Sequence, residues 1–175
     1  MNKFAKQLRG GDLRSVGKAN SIALQIKDQN DFNELFECLY AADRVVKMRA
    51  ADAIEKCSQP RPDLLHPHKK EILHFLEMPT GIEFRWHMAQ LLSRLSLTED
   101  ELNFVSNTLT SWMMNKAESR IVRVNALESL HNIFKGKEPE MTHLLSNVNL
   151  LKKENVPSLN ARIRKLFGNK GELHH

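Results

Sequence analysis

Three twelve-residue segments of this chain align without a gap: "VKMRAADAIEKC" (Val46–Cys57), "FRWHMAQLLSRL" (Phe84–Leu95) and "VRVNALESLHNI" (Val122–Ile133), each 38 residues after the last. Each opens on an apolar residue followed by a base: Lys47, Arg85 or Arg123. A degraded fourth copy begins at "LNARIRKLF", 37 residues further on, with Asn160 in the basic column. Every copy follows another stretch of helical patterning: "DFNELFECL", "KKEILHFL", "EDELNFVSNTLTSWMM" and "MTHLLSNVNLL". A helix pair of this length cannot bury its apolar face alone and is stable only when stacked on its neighbours. The period therefore predicts an all-α fold of about nine helices: one from about Asp12 to Lys27, then four pairs. With 7 Gly and 6 Pro in 175 residues, little in the chain interrupts such helices.

The ends of the expected helices are punctuated. Asp31 with Glu34, and Thr98 with Glu101, have the spacing of a capping box, in which a side-chain oxygen takes an orphan amide and a carboxylate reaches back. "SQPRP", "MPTG" and "KGKEP" interrupt helices, and Pro157 suits a first helical turn. The chain thus reads as a flexible N-terminal segment (1–11), a single repeat domain (12–168) and a C-terminal tail (169–175). The tail ends in His174 and His175, a pair of the kind that expression tags leave, and is set aside.

The pattern V-R-x-x-A-x-x-x-L-x-x-L of the second helix resembles the HEAT repeat. Val122, Arg123, Ala126, Leu130 and Ile133 match it column by column; Phe84, Arg85, Met88, Leu92 and Leu95 match with bulkier residues; Val46, Lys47, Ala50, Ile54 and Cys57 match with Lys for Arg. The resemblance covers about residues 31–168 and departs at the aspartate usual within such repeats: Asp43 is shifted, and the later copies offer Glu83 and Glu118. It implies a right-handed α-solenoid of HEAT-like helix pairs, with one side of each second helix lining a concave surface. The chain is also similar to small bacterial HEAT-like proteins without an assigned activity, which argues against a known enzyme.

At 100° per residue, the columns Val46/Phe84/Val122, Ala50/Met88/Ala126, Ile54/Leu92/Leu130 and Cys57/Leu95/Ile133 fall in one arc, the expected core face. Met48, Trp86, Val124 and Ala161 fall nearly opposite. They predict a groove floored by Met48, Trp86 and Val124, with Ala51, Ala89 and Leu127 beside them. Lys47, Arg85 and Arg123 form one flank, and Asp52, Gln90 and Glu128 the other. An apolar strip between opposite charges suits an amphipathic helix or an extended peptide, and Trp and Arg are frequent binding hot spots. The expected function is a non-catalytic scaffold or adaptor for a protein or peptide. His87, in the column of Arg49, Asn125 and Arg162, reads as a packing residue that touches the neighbouring repeat.

Two alternatives come from charge and surface. Residues 1–27 carry six bases against Asp12, residues 28–118 ten bases against fifteen acids, and residues 151–175 six bases against two acids. A nucleic-acid binder would use Arg14, Lys18, Arg162, Arg164 and Lys165. A version similar to HEAT-like DNA-repair glycosylases would use Asp52 and Trp86, but the acidic middle and the stacked repeats separate the two basic poles. The other alternative is an oligomerisation module, with the chain as a homo-oligomer. No cofactor is implied. His66, His68 and His74 lack the spacing of a zinc framework, so no metal site is predicted and a solvated loop is expected. Cys38 and Cys57 read as buried thiols of a cytoplasmic protein, Trp112, Met113 and Met114 as packing residues, and no run approaches the ~20 apolar residues that would cross a membrane.

Overall fold

The computed structural model describes residues 2–10, 17–78 and 81–168. The regular elements among them are all helical, and the chain divides into two compact units, Met1–Ser96 and Leu97–His175. The first contains α1 (Lys3–Leu8), α2 (Gly17–Ala23), α3 (Gln29–Glu37), a 3₁₀ turn at Cys38–Tyr40, α4 (Arg44–Ser58), a 3₁₀ segment at Pro62–His68, α5 (Lys69–Phe75) and α6 (Ile82–Leu92). The second contains α7 (Glu99–Met114), α8 (Arg120–Phe134), α9 (Glu138–Lys153) and α10 (Pro157–Phe167).

Among the described residues there are ten α-helices, not nine, and the added one lies in the segment expected to be flexible. Asn2 caps α1 by accepting from the amides of Phe4 and Ala5, both at 3.0 Å, and Phe4 and Leu8, one turn apart, are buried. Polar bonds tie this helix to α3: Asn2 Nδ2 donates to the Glu34 carbonyl and Lys3 Nζ pairs with Asp31 at 2.6 Å. Asp31 is therefore not a cap. Asp28 caps α3, accepting from the Asp31 amide at 3.0 Å. The Thr98–Glu101 capping box forms as expected, Pro157 opens α10, and the shifted Asp43 caps α4 through the amides of Val45 and Val46.

In the first unit α4 is the central helix, packed against α1, α2, α3, both 3₁₀ segments and α6. Three alanines, Ala50, Ala51 and Ala53, keep its girth small enough for so many neighbours, and all three are fully buried. Rings form a second line of packing. Phe36 stacks on His68 at 3.9 Å, Phe75 meets Tyr40 at 5.3 Å, and Phe75 meets Phe84 edge-on at 5.1 Å. His68 thus leaves the expected solvated loop: its Nδ1 faces Glu71 at 2.9 Å and its Nε2 faces Asn33 at 2.7 Å. Both cysteines are free and buried, and burial pushes the Cys57 thiol up to about 12 and Cys38 to about 11.

In the second unit α8 packs on α7, α9 and α10. Across both units the first three expected core columns are buried in all three copies, while Leu95 and Ile133 of the fourth column remain partly exposed. Arg123 joins three helices here. Its Nε donates to the Met113 carbonyl in the last turn of α7 at 2.8 Å, and its NH2 grips both Glu154 oxygens at the end of α9, at 3.0 and 2.9 Å. Arg123 is almost wholly buried and Glu154 largely shielded, so removing one partner strands a charge mostly away from water. Arg123→Met is expected to lower unfolding free energy by about 3 kcal/mol, and the double variant Arg123→Met/Glu154→Met to recover more than half of that. Urea unfolding of the full chain measures both.

Candidate functional site

The structure keeps part of the expected groove and removes the rest. Met48 and Trp86 are partly exposed on α4 and α6, with Asp52, Glu55, Gln90 and Ser93 partly exposed around them. Ala51, Ala89 and Leu127, expected beside the floor, are each 0% exposed. The reason is how successive second helices pack, α4 on α6 and α8 on α10. Arg94, just past α6, reaches the Glu55 carbonyl and the Ser58 hydroxyl of α4 at 2.5 and 2.8 Å, so that side of α4 faces the end of α6. Ala51, seven residues before Ser58, lies about 20° from it around the helix and belongs to the same contact. Leu127 has the equivalent place on α8. Val124 is reduced to 8% exposure, so the floor expected in the second unit is closed.

The charged flanks are also largely spent inside the chain. Arg123, expected to meet an acid on a partner, is 3% exposed and held by Glu154. Glu128 pairs with Arg162, and Asp52 pairs with Lys56 one turn along at 2.7 Å. Arg85 is partly exposed and interacts with its surroundings. Lys47 differs: among the described residues its ammonium has no hydrogen-bond or ion-pair partner, and it lines two adjoining clefts at the N-terminal ends of α4 and α6.

The first cleft, of about 210 Å³, is lined by Ala42, Arg44, Lys47, Met48, Gly81, Glu83 and Phe84. The second, of about 300 Å³, shares Lys47, Gly81 and Phe84 and adds Leu39, Tyr40, Phe75 and Met78. Tyr40 and Met78 are 56% and 45% exposed, large apolar side chains left open where the ring packing ends. The acids nearby are occupied: Glu83 accepts from Arg44 at 2.5 Å, and Glu71 accepts from the Tyr40 hydroxyl at 2.5 Å. Burial, helped by the bond to Glu71, pushes the Tyr40 hydroxyl up to about 12. Tyr40, Arg44, Phe75 and Met78 escaped the sequence reading, and Glu83 entered it only at the place of the repeat's usual aspartate, because they lie at helix ends, outside the repeating columns that located Met48 and Trp86.

The nucleic-acid candidates differ in their surroundings. Arg14 lies outside the described residues. Lys18 donates to the Arg9 and Gly10 carbonyls, and Arg162 is taken by Glu128, whereas Arg164 and Lys165 are exposed in the last turn of α10. That position alone suits bases, which offset the negative end of the helix dipole. Asp52 and Trp86, the residues a glycosylase would need, carry the Lys56 pair and a ring contact with His87 at 5.0 Å.

His87 is the packing residue its column suggested, 4% exposed, with Nδ1 buried and without a hydrogen-bond partner among the described residues. Desolvation lowers its pKa to about 4; the Asp52 charge opposes this and Lys56 adds to it. The unfolded chain then binds this proton between about pH 4 and 6.5 and the folded chain does not, so stability is full above 6.5 and falls as pH drops toward 4. The loss is of the order of 3 kcal/mol. In urea titrations His87→Gln should flatten this slope, and an unchanged slope would contradict the assignment.

No family model, no curated protein and no solved structure matches this chain.

Proposed function

We propose that this chain is a non-catalytic, HEAT-like repeat module of the cytoplasm that binds a segment of another protein on the α4–α6 face of the Met1–Ser96 unit. The observation that carries the reading is Trp86. A large aromatic sits partly exposed on the side of its helix turned away from the buried columns, with Met48 in the same column one repeat earlier. The core does not require a ring there: Phe84, Met88 and Leu92 already hold α6 down. An amphipathic side chain partly open to solvent is the kind of anchor that dominates binding energy when a partner covers it. No helix among the described residues is long and apolar enough to cross a membrane, in keeping with a partner met in water.

Trp86→Ala should leave far-UV ellipticity and melting nearly unchanged, while peptides selected by display on the wild-type chain lose at least about tenfold in affinity. Trp112→Phe leaves Trp86 as the sole tryptophan of the two, and its emission should then shift to the blue as those peptides saturate the protein. A Trp86→Ala variant that unfolds, or that binds the peptides as the wild type does, would remove the basis of this reading.

A further inference from the structure

We propose that the Lys47 cleft receives a carboxylate from the bound partner, with an aromatic or large aliphatic side chain of the same segment against Tyr40, Phe75 and Phe84. This deepens the reading above and rests on it. The chain supplies its own precedent. Lys47 and Arg123 occupy the same column two repeats apart, and Arg123 is satisfied internally by Glu154, 31 residues downstream. The residue 31 places beyond Lys47 is Met78, which carries no charge and lines the cleft that Lys47 lines. Lys47 thus holds the place of Arg123 without its carboxylate.

Among the described residues no acid pairs with Lys47: Asp43, one turn before it, caps α4 through the amides of Val45 and Val46. Glu83 is engaged by Arg44, and Glu71 by Tyr40 and His68. Part of the lining is apolar and open: Tyr40 and Met78 are exposed beside the buried rings of Phe75 and Phe84, while Arg44 and Glu83 pair with each other in the first cleft. A cation without an acid of its own among the described residues, beside a partly open apolar wall, matches a segment in which an acid neighbours an aromatic or aliphatic residue, one group for each part. Clefts of about 210 and 300 Å³ hold one or two side chains, at or below the small end of the ~300–1,000 Å³ range of small-molecule sites.

The test is to pan a phage-displayed random heptapeptide library against the full chain and its Lys47→Glu variant in parallel. Lys47 is partly exposed and has no ion-pair partner among the described residues, so both proteins should melt alike. The wild type is expected to enrich aspartate or glutamate within two positions of phenylalanine, tryptophan or leucine. Synthetic peptides of that consensus should bind Lys47→Glu at least about tenfold more weakly and keep their affinity for Lys47→Arg. Replacing the acid of the peptide by its amide should cost as much. The same consensus from wild type and Lys47→Glu, or a consensus without an acid, overturns the proposal. If an acid-free consensus is still lost on Trp86→Ala, the binding face stands and the carboxylate site falls; if the wild type enriches nothing, both fall.

Discussion

An α-helix leaves its last carbonyls without donors, and in this chain buried or half-buried arginines from neighbouring elements supply them. Arg49 of α4 donates to the carbonyls of Leu8 and Gly10 at the end of α1, at 2.7 and 2.6 Å. Arg94, just past α6, donates to the Glu55 carbonyl in the last turn of α4. Arg123 of α8 donates to the Met113 carbonyl in the last turn of α7. Each bond joins a helix end to another element, and a guanidinium placed there also meets the negative end of the helix dipole. Packing within each unit depends on these links, because the alanines that let helices approach closely supply little apolar area themselves.

That economy explains what is left over. Where α4 and α6 meet, Ala51 lets them close, and the expected groove narrows to Met48 and Trp86 with their polar neighbours. In the second unit the corresponding positions are Leu127 and Val124, whose bulk fills the contact and leaves no floor. The basic column follows the same division. Arg123 is absorbed by the carbonyl and carboxylate of its surroundings, while Lys47 stands beside methionine and aromatic rings. The unit whose internal bonds are incomplete is the one with surface to offer.

Much of the architecture was readable before any coordinates. The 38-residue spacing located the second helix of each of the first three copies, and the columns of Val46, Ala50 and Ile54 are buried in each of those copies. The capping box at Thr98 and the proline at α10 marked boundaries correctly because both act through local backbone chemistry. The N-terminal segment was misread because Phe4 and Leu8 form too short an apolar pattern to register, and their helix is held by Asn2, Lys3 and Arg49 through contacts made in space. Asp31 was misread because two acids three residues apart both suit a cap, and the Lys3 pair decided between them.

By itself, the sequence determined that this chain is helical, where three helices 38 residues apart lie, and which stripe of each faces the core. Those properties depend on residue spacing and propensity, which act over one or two helical turns. Only the tertiary structure decided which polar residues are consumed internally and which remain open. Arg123 and Lys47 are interchangeable in the repeat pattern, yet one is closed by Glu154 and the other lines a cleft together with Met78. The difference comes from a residue 31 positions away, brought near by the return of the chain, and no local pattern carries that information.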